Sequence, residues 1–213
     1  MEPEIVPAIL AKERGELLRR ILLVRDFVKM IQIDVMDGAF VPNKTIGLEG
    51  LRDLPEANYE FHWMVKDPIR WIEQTPGNHT HLVHIETISS FEDVKQAVKK
   101  VGGRLGIALN PETPLEKVLP HVPDVGEVLV MTVHPGFSGQ KYIPKMEEKI
   151  KRLRELHPSL DIEVDGGIGP DTIGCAYAAG ANLLAAASAV FSSDDVRANI
   201  ENLRKCALSG CLA

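Results

Sequence analysis

Cysteine is scarce in this sequence of 213 residues, and its three positions fit neither a metal site nor a disulfide framework. Cys175, Cys206 and Cys211 are an odd number and lack the spacing of metal ligands. Disulfide frameworks belong to oxidising compartments, whereas cytoplasmic proteins keep their thiols reduced. We therefore expect a reduced, cytoplasmic protein in which the three cysteines take no part in the function.

Excess positive charge and long apolar runs are also absent. The 24 lysines and arginines are outnumbered by 30 aspartates and glutamates, giving a formal charge of -6, whereas nucleic-acid-binding domains are usually basic. No apolar run approaches the ~20 residues that span a bilayer, and the first residues lack the regions of a signal peptide. These absences argue against nucleic acid and membranes as partners, and an anionic substrate would need a local binding site.

The sequence does contain a regular alternation of short apolar runs and amphipathic stretches. The amphipathic stretches, such as 15–27, 90–102 and 144–158, repeat apolar residues three and four apart, as helices do. Strict alternation predicts parallel strands with crossover helices, and eight such units fit a closed (β/α)8 TIM barrel that spans 1–213 as a single domain. The predicted strands are 4–10, 30–36, 59–65, 81–86, 104–110, 127–133, 161–166 and 183–188.

Three side chains that can bind a metal lie at the carboxyl ends of predicted strands, where TIM barrels place their active sites. Asp34, His62 and Asp165 end strands two, three and seven. Two carboxylates and an imidazole suit a divalent cation such as Zn, Mn or Fe, and Gln32, one pleat deeper than Asp34, is a weaker fourth candidate. For each residue alone, a loop-holding or core role is an equal alternative. Their combination favours a metal site.

Asp34 and Asp165 also suggest a reaction, because two acids on nearly opposite strands can approach one carbon from its two faces. One carboxylate can remove a proton next to a carbonyl while the other returns a proton from the opposite side. A metal would stabilise the enediolate formed between these steps. The pair therefore favours stereochemical inversion, without being unique to it.

Glycine-rich loops after strands six and seven are candidate phosphate contacts. Glycine lets the main chain approach a ligand closely, and N–H groups at a following helix start attract phosphate. TIM barrels usually build this site after strands seven and eight. Ordinary turn glycines are the alternative. The predicted substrate and phosphate contacts are Gly136, Gly139, Gly166, Gly167, Ala187 and Ser188.

Two other groups of residues give weaker signals. Met36, Met64 and Met131 fall at equivalent heights on three strands and can form a pocket wall, which ordinary barrel packing explains equally well. The stretch "HTHLVH" looks like a cluster of metal ligands, but alternation sends His81 and His84 to opposite faces of the strand. We expect surface or core roles for its histidines.

Longer motifs carry a resemblance to a known family. In order and spacing, "QIDVMDGAFVPNKTIG", "FHWMVKDP", "GIALNPETPLE", "VLVMTVHPGFSGQKYIPKMEEKIKRLREL" and "IEVDGGI" resemble the ribulose-phosphate 3-epimerase family over about Ile5 to Phe191. The resemblance implies a (β/α)8 barrel, one divalent metal ion (Zn, Fe, Mn or Co), a sugar-phosphate substrate and a homo-oligomer. It also implies interconversion of D-ribulose 5-phosphate and D-xylulose 5-phosphate, with Asp34 and Asp165 as acid/base residues and metal ligands, and His62 as a metal ligand.

The chain departs from the pattern of this family at several positions. Gln32 replaces a metal-binding histidine, and an amide oxygen binds Zn or Fe more weakly than an imidazole does. Ala8 replaces a serine that contacts substrate, and Ala187 replaces a glycine of the phosphate site. His134 stands where Asn, Asp or Glu is usual, with a loop role or a replacement metal ligand as its alternatives.

These departures leave two functions open. The first is a metal-dependent ketose-phosphate 3-epimerase, acting on ribulose 5-phosphate or a related ketose phosphate. The second is a non-catalytic or weakly active barrel that binds a phosphorylated ligand. A Schiff-base lyase is disfavoured because no lysine lies on a predicted strand.

Overall fold

Eight parallel strands close into a barrel in the order of the chain, which confirms the predicted TIM barrel. The structure, a computed structural model, describes residues 1–137 and 139–211. Each strand pairs with its sequence neighbours, and the first strand pairs with the last. The strands are β1 (Glu4–Ile9), β2 (Ile31–Met36), β3 (Tyr59–Met64), β4 (Thr80–His84), β5 (Arg104–Leu109), β6 (Glu127–Met131), β7 (Asp161–Asp165) and β8 (Leu183–Ala186).

Helices cover the outside of the barrel, although two crossovers depart from the expected alternation. Within the described ranges, the β2–β3 crossover contains the 3-10 helix Leu48–Leu51, and the β5–β6 crossover contains Leu115–Lys117 and Leu119–Asp124. The latter segment has prolines at 114, 120 and 123, and proline breaks the α-helical hydrogen-bond pattern. The α-helices are α1 (Arg14–Val24), α2 (Pro68–Ile72), α3 (Phe91–Val101), α4 (Met146–Leu156), α5 (Ile173–Ala179) and α6 (Val196–Leu208).

Helix α3 shows how local sequence sets these elements. The Ser90 side chain accepts a hydrogen bond from the backbone N–H of Asp93, which satisfies one free donor at the helix start. Gly102 ends the helix in the left-handed conformation, at φ +80°. Between these signals, Val94 and Val98 are buried against the barrel on one side of the helix. In this part of the chain, the local signals and the apolar pattern specify the same helix.

The strands are buried on both faces because apolar side chains pack between the barrel and its helices, and apolar and polar side chains together fill the interior. On β2, Ile31 and Ile33 belong to the outer core beneath the helices, whereas Gln32 and Asp34 face inward. Burial on both faces is typical of parallel sheets and explains why most of these strands read as nearly continuous apolar runs. Apolar side chains pack inside the barrel on two sides: Leu82, Ala108, Leu129 and Met131 on one, and Val6, Ala8, Leu183 and Ala185 on the other.

A disulfide joins Cys175 in α5 to Cys211, contrary to the expectation that all three cysteines are reduced. The two cysteines lie 36 residues apart in sequence, but α5 and α6 pack side by side and the chain after α6 returns to α5. The contact depends on tertiary packing, which the spacing of cysteines in the sequence does not reveal. Cys206 is a free thiol. In the described part of the chain, no helix has the combined length and hydropathy needed to cross a membrane.

Candidate active site

Three of the predicted metal-binding side chains meet at the carboxyl-terminal end of the barrel. Asp34 and His62 are register partners on β2 and β3, and Asp165 is the last residue of β7. His62 Nδ1 lies 3.3 Å from Asp34 Oδ1 and 3.3 Å from Asp165 Oδ2. Candidate ligand atoms of the three residues all lie within 4.8 Å of one another, so that one cation can contact all three.

Gln32 completes this group with its side-chain amide. Its Nε2 donates hydrogen bonds to Asp34 Oδ1 at 2.7 Å and to Asp165 Oδ2 at 2.9 Å. Its Oε1 is buried and has no hydrogen-bond partner among the described residues. A flip of the side-chain amide would exchange Nε2 and Oε1. The oxygen would then face the two carboxylates and could bind a cation, in place of the nitrogen that donates hydrogen bonds to them. Two carboxylates, an imidazole nitrogen and an amide oxygen fit a divalent cation.

The charges in this group are set by burial and by mutual hydrogen bonds. Burial raises the pKa of Asp34, and hydrogen bonds from His62 and Gln32 offset only part of that effect. Burial lowers the pKa of His62, but hydrogen bonds to Asp165 and Asp34 outweigh burial and raise it to about 9. In the absence of a metal, a protonated imidazole therefore lies between the two acids, and a bound cation would replace its positive charge.

The second ring nitrogen of His62 contacts a histidine that was not predicted to belong to the site. His62 Nε2 lies 2.9 Å from His84 Nε2, and His84 Nδ1 lies 3.2 Å from Glu86 Oε2. The other oxygen of Glu86 accepts hydrogen bonds from the backbone N–H of Asn110 and from Thr113 Oγ1. The inward direction of His84 follows from alternation along β4, but its distance from His62 depends on the strand register.

The remaining histidines of the "HTHLVH" stretch are structural, as expected. His81 is buried outside the barrel, where its Nδ1 accepts a hydrogen bond from Trp63 Nε1 at 3.0 Å. His79, half-buried just before β4, packs edge-on against Phe61. His134 follows β6 at the surface, where its Nδ1 lies 3.2 Å from Glu112 Oε1. This surface contact accounts for His134 as a loop residue.

A cavity of about 560 Å³ opens above the acids, within the size range of small-molecule sites. Gln32 and His62 are fully buried and do not line it. Ala8 is also buried and pairs in register with Gln32. The other predicted site residues all line the cavity: Asp34, Met36, Met64, Met131, Gly136, Gly139, Asp165, Gly166, Gly167, Ala187 and Ser188.

The turn after β7 requires glycine for steric reasons. Gly166 and Gly167 have φ values of +118° and +65°, where side chains other than glycine are strained. A Cβ atom on Gly167 would also lie 2.5 Å from the backbone nitrogen of Tyr142. The conformation thus explains both glycines, and it places their main chain on the cavity wall, where N–H groups can reach a ligand.

Side-chain hydrogen bonds hold the loop after β6 over the same cavity. Asn43, in the loop after β2, donates through Nδ2 to the carbonyl of Gly136 at 2.8 Å. Gln140 donates through Nε2 to the carbonyls of His134 at 2.6 Å and Phe137 at 2.9 Å. Phe137 itself is 55% exposed.

A second cluster of acids, which was not predicted from the sequence, lies one pleat deeper in the barrel. Glu60 precedes His62 by two residues on β3, Glu163 precedes Asp165 by two on β7, and Glu127 begins β6. Their carboxyl groups are buried and lie within 4.8 Å of one another. Burial raises the pKa of all three, that of Glu60 to about 7, so the cluster favours neutral carboxyl groups.

Comparisons with known proteins agree on one family. The sequence model of the ribulose-phosphate 3 epimerase family matches residues 4–191. The chain is 41% identical over 212 residues to "Ribulose-phosphate 3-epimerase, cytoplasmic isoform" of Oryza sativa subsp. japonica, covering 95% of this chain and 93% of that protein. It is 38% identical over 213 residues to "Ribulose-phosphate 3-epimerase" of Methanocaldococcus jannaschii, with coverages of 96% and 91%.

Solved structures share the fold at lower sequence identity. The 3-hexulose-6-phosphate synthase of Salmonella typhimurium superposes with a TM-score of 0.70 at 16% identity, over 97% of this chain and 99% of that chain. That likeness shows a common barrel and nothing further about function. The family assignment comes from the sequence matches, which span nearly the whole chain. The chain belongs to the ribulose-phosphate 3-epimerase family, a family of isomerases.

Proposed function

We propose that the chain is a metal-dependent ketose-phosphate 3-epimerase that interconverts D-ribulose 5-phosphate and D-xylulose 5-phosphate. The observation that carries this proposal is that Asp34 and Asp165 line one cavity together, with His62 buried beneath them in contact with both acids. The names of the relatives support the choice of substrate.

In the proposed reaction, Asp34 and Asp165 act on opposite faces of C3. One residue, as a carboxylate, removes the C3 proton, and the other, as a carboxylic acid, returns a proton to the opposite face. The roles exchange in the reverse direction, and each turnover moves one proton off C3 and one proton onto it.

Asp34, His62, Asp165 and Gln32 would hold one divalent ion, Zn, Fe, Mn or Co. A cation bound there supplies electrostatic stabilisation of the enediolate oxygens. The chain's own apolar side chains, Met36, Met64 and Met131, limit the access of water to the reacting carbon, because they line the cavity around the acids.

The phosphate would bind to main-chain N–H groups of the loops on the cavity wall. These loops hold the predicted phosphate contacts Gly136, Gly139, Gly166, Gly167, Ala187 and Ser188. Main-chain N–H groups suit an anionic ligand in a protein of net negative charge, because they bind phosphate without a basic side chain. Compared with the glycine usual in the family, the methyl group of Ala187 leaves less space for a phosphate beside these N–H groups.

We further propose a single-domain, homo-oligomeric protein of the cytoplasm that acts in the pentose phosphate pathway. The rice relative's name, a cytoplasmic isoform, supports this location. The pair Cys175 and Cys211 would be kept largely as thiols in that compartment, since its glutathione and thioredoxin systems reduce disulfides. The disulfide would then form only when the protein is oxidised.

The test is exchange of the C3 proton of ribulose 5-phosphate with solvent deuterium, followed by NMR with and without Zn, Mn or Fe. Asp34→Asn and Asp165→Asn should each lower the exchange rate by about 10²- to 10⁴-fold, because each keeps the shape and removes the base. Asp26→Asn, at a side chain that is 72% exposed, is the matched control and should keep the full rate. Absence of metal-dependent exchange with any pentulose or hexulose phosphate would rule out the proposal.

The alternative of a non-catalytic phosphate-binding barrel is not favoured. Both acids and His62 are present in one contact group, and the cavity above them is open. The feature that supports the alternative is Gln32, whose Nε2 donates to both acids. A binder would show ligand binding with no exchange, and the combined substitutions Gln32→His and Ala8→Ser would then be expected to raise activity.

A further inference from the structure

We propose that His84, held by Glu86, positions His62 for metal binding by fixing which ring nitrogen of His62 carries a proton. This inference rests on the function proposed above, in which His62 is a metal ligand. His84 and Glu86 are then positioning residues, because they act on the cation only through His62.

The observation is a continuous line of contacts from the two acids to the loop after β5. His62 faces Asp34 and Asp165 through Nδ1 and faces His84 Nε2 through its own Nε2, at 2.9 Å. His84 in turn faces Glu86 through Nδ1, at 3.2 Å. The two imidazole rings are nearly parallel, with an angle of 18° between their planes. Both nitrogens of each ring are therefore engaged.

Glu86, the last residue of this line, determines which atoms donate and which accept in each hydrogen bond. An ionised carboxylate only accepts hydrogen bonds, so that Nδ1 of His84 must donate to Glu86. A neutral imidazole carries one proton, which leaves Nε2 of His84 as an acceptor. Nε2 of His62 must then donate to it. The nitrogen of His62 left for a cation is Nδ1, the one that faces the two acids.

The surroundings support the protonation states that this direction requires. His84 is fully buried, and a charged imidazolium ring is costly to bury away from water. Burial alone would raise the pKa of Glu86, but hydrogen bonds from His84 and Thr113 lower it to about 2. Phe40 packs its ring 4.9 Å from that of His84 and helps to exclude water from the line of contacts.

The acceptor at the end of the line is held by a fixed loop. Glu86 Oε1 accepts hydrogen bonds from the backbone N–H of Asn110 and from Thr113 Oγ1. Lys149, half-buried in α4, donates through Nζ to the carbonyls of Asn110, Pro111 and Thr113, at 3.3, 3.0 and 2.7 Å. These contacts fix the position of the Glu86 carboxylate, and the carboxylate fixes the orientation of the His84 ring. Such partners of metal-binding histidines change metal affinity about 10- to 100-fold when they are removed.

If His84 had only a structural role, replacing it would have the same effect as replacing His81, which is buried on the same strand. The ring of His81 is held by Trp63 on the outer side of the sheet, on the face opposite to the ring of His62. Replacing either histidine by leucine removes a buried imidazole and disturbs the core. Only the replacement of His84 should change the metal site. His81→Leu is therefore the matched control.

The experiment measures the dissociation constant for Zn²⁺ by competition with a chromophoric chelator, together with the melting temperature of each variant. His84→Leu should raise the constant about 10- to 100-fold, since no acceptor remains for Nε2 of His62. His84→Gln should stay within a few-fold of the unmodified protein, because its amide oxygen can accept the same hydrogen bond. His81→Leu should lose stability but keep the affinity. Equal affinity in His84→Leu and the unmodified protein would overturn the proposal.

A second measurement needs neither a variant nor a metal. Ring ¹⁵N shifts of the unmodified, metal-free protein should show His84 with its proton on Nδ1 and an unprotonated Nε2. A proton on Nε2 of His84 would overturn the proposal. Failure of the unmodified protein to bind Zn²⁺, Mn²⁺ or Fe²⁺ would instead count against the proposed function, and the tautomer of His84 would still decide the direction of the contacts.

Discussion

Among the side chains of this site, Gln32 has the largest expected effect on metal binding, because its amide lies between two acids and contacts both. Its nitrogen donates to both Asp34, which is buried, and Asp165, which is partly buried, and these hydrogen bonds stabilise the two carboxyl groups in the absence of a metal. Metal binding must displace this donor and turn the amide oxygen toward the cation. The same residue therefore stabilises the metal-free protein and lowers the affinity of the site for a metal ion.

Gln32→His should increase the affinity for Zn²⁺ by at least roughly tenfold, or about 1.4 kcal/mol, because an imidazole nitrogen binds zinc more strongly than an amide oxygen does. The measurement is competition with a chromophoric chelator at fixed pH. Gln32→Leu is the control, since leucine supplies no ligand atom at the same buried position. Affinity in Gln32→His equal to that of the unmodified protein would mean that position 32 does not contact the metal.

At the scale of elements, the site depends on loops that are joined across the mouth of the barrel. The link from Asn43 to the carbonyl of Gly136 connects the loop after β2 with the loop after β6. It therefore joins the loop that follows the acid Asp34 to the loop that carries predicted substrate contacts. The hydrogen bond restricts the positions available to Gly136 before a ligand binds.

Asn43→Ala should raise KM several-fold with a smaller change in kcat, because a lost hydrogen bond of about 1 kcal/mol allows the loop after β6 to occupy other positions. Steady-state kinetics on ribulose 5-phosphate measure this split. Asn58→Ala is the matched control: Asn58 makes the same type of bond, to the carbonyl of Lys29, but before β3 and away from the mouth. An effect of equal size in both variants would point to general destabilisation.

Apolar periodicity was sufficient to predict all eight strands, with ends within two residues of those observed. Short runs buried on both faces leave little choice of structure. The 3-10 crossovers were not predicted, because apolar spacing does not separate them from α-helices. The contact between His62 and His84 was missed for a different reason: it requires the stagger of β4 against β3, where His62 pairs with Leu82. The disulfide of Cys175 was missed because it depends on helix packing.

At the scale of the whole molecule, the barrel contains two layers of acids in a chain that already has a formal charge of -6. The upper layer is balanced by His62, whereas the lower layer of Glu60, Glu127 and Glu163 has no basic side chain within its contact group of described residues. Burial and mutual repulsion favour the protonated forms of the lower layer. The stability of the barrel should therefore depend on pH through groups that lie outside the proposed chemistry.

Glu127 is the member of this layer that tests the idea without touching the proposed ligands. Burial raises its pKa well above the ordinary value of 4.5, and the charges of Glu60 and Asp161 add to the shift. Above pH 4.5, the unfolded chain releases a proton at Glu127 that the folded protein retains. The free energy of unfolding should thus fall by about 1.4 kcal/mol per pH unit for this group, until the pH reaches its pKa in the folded state.

Glu127→Gln should remove that dependence, because glutamine has a similar shape and no proton to lose. The variant should match the unmodified protein near pH 4.5 and become increasingly more stable than it as the pH rises, by about 1.4 kcal/mol per unit, until the pH reaches the pKa of Glu127 in the folded protein. Urea unfolding at several pH values from 5 to 8 measures the difference. Glu155→Gln, at an exposed side chain on α4, is the matched control. A constant difference between Glu127→Gln and the unmodified protein over this range would mean that Glu127 is ionised in the folded barrel, and a cation or a polar partner would then have to compensate its charge.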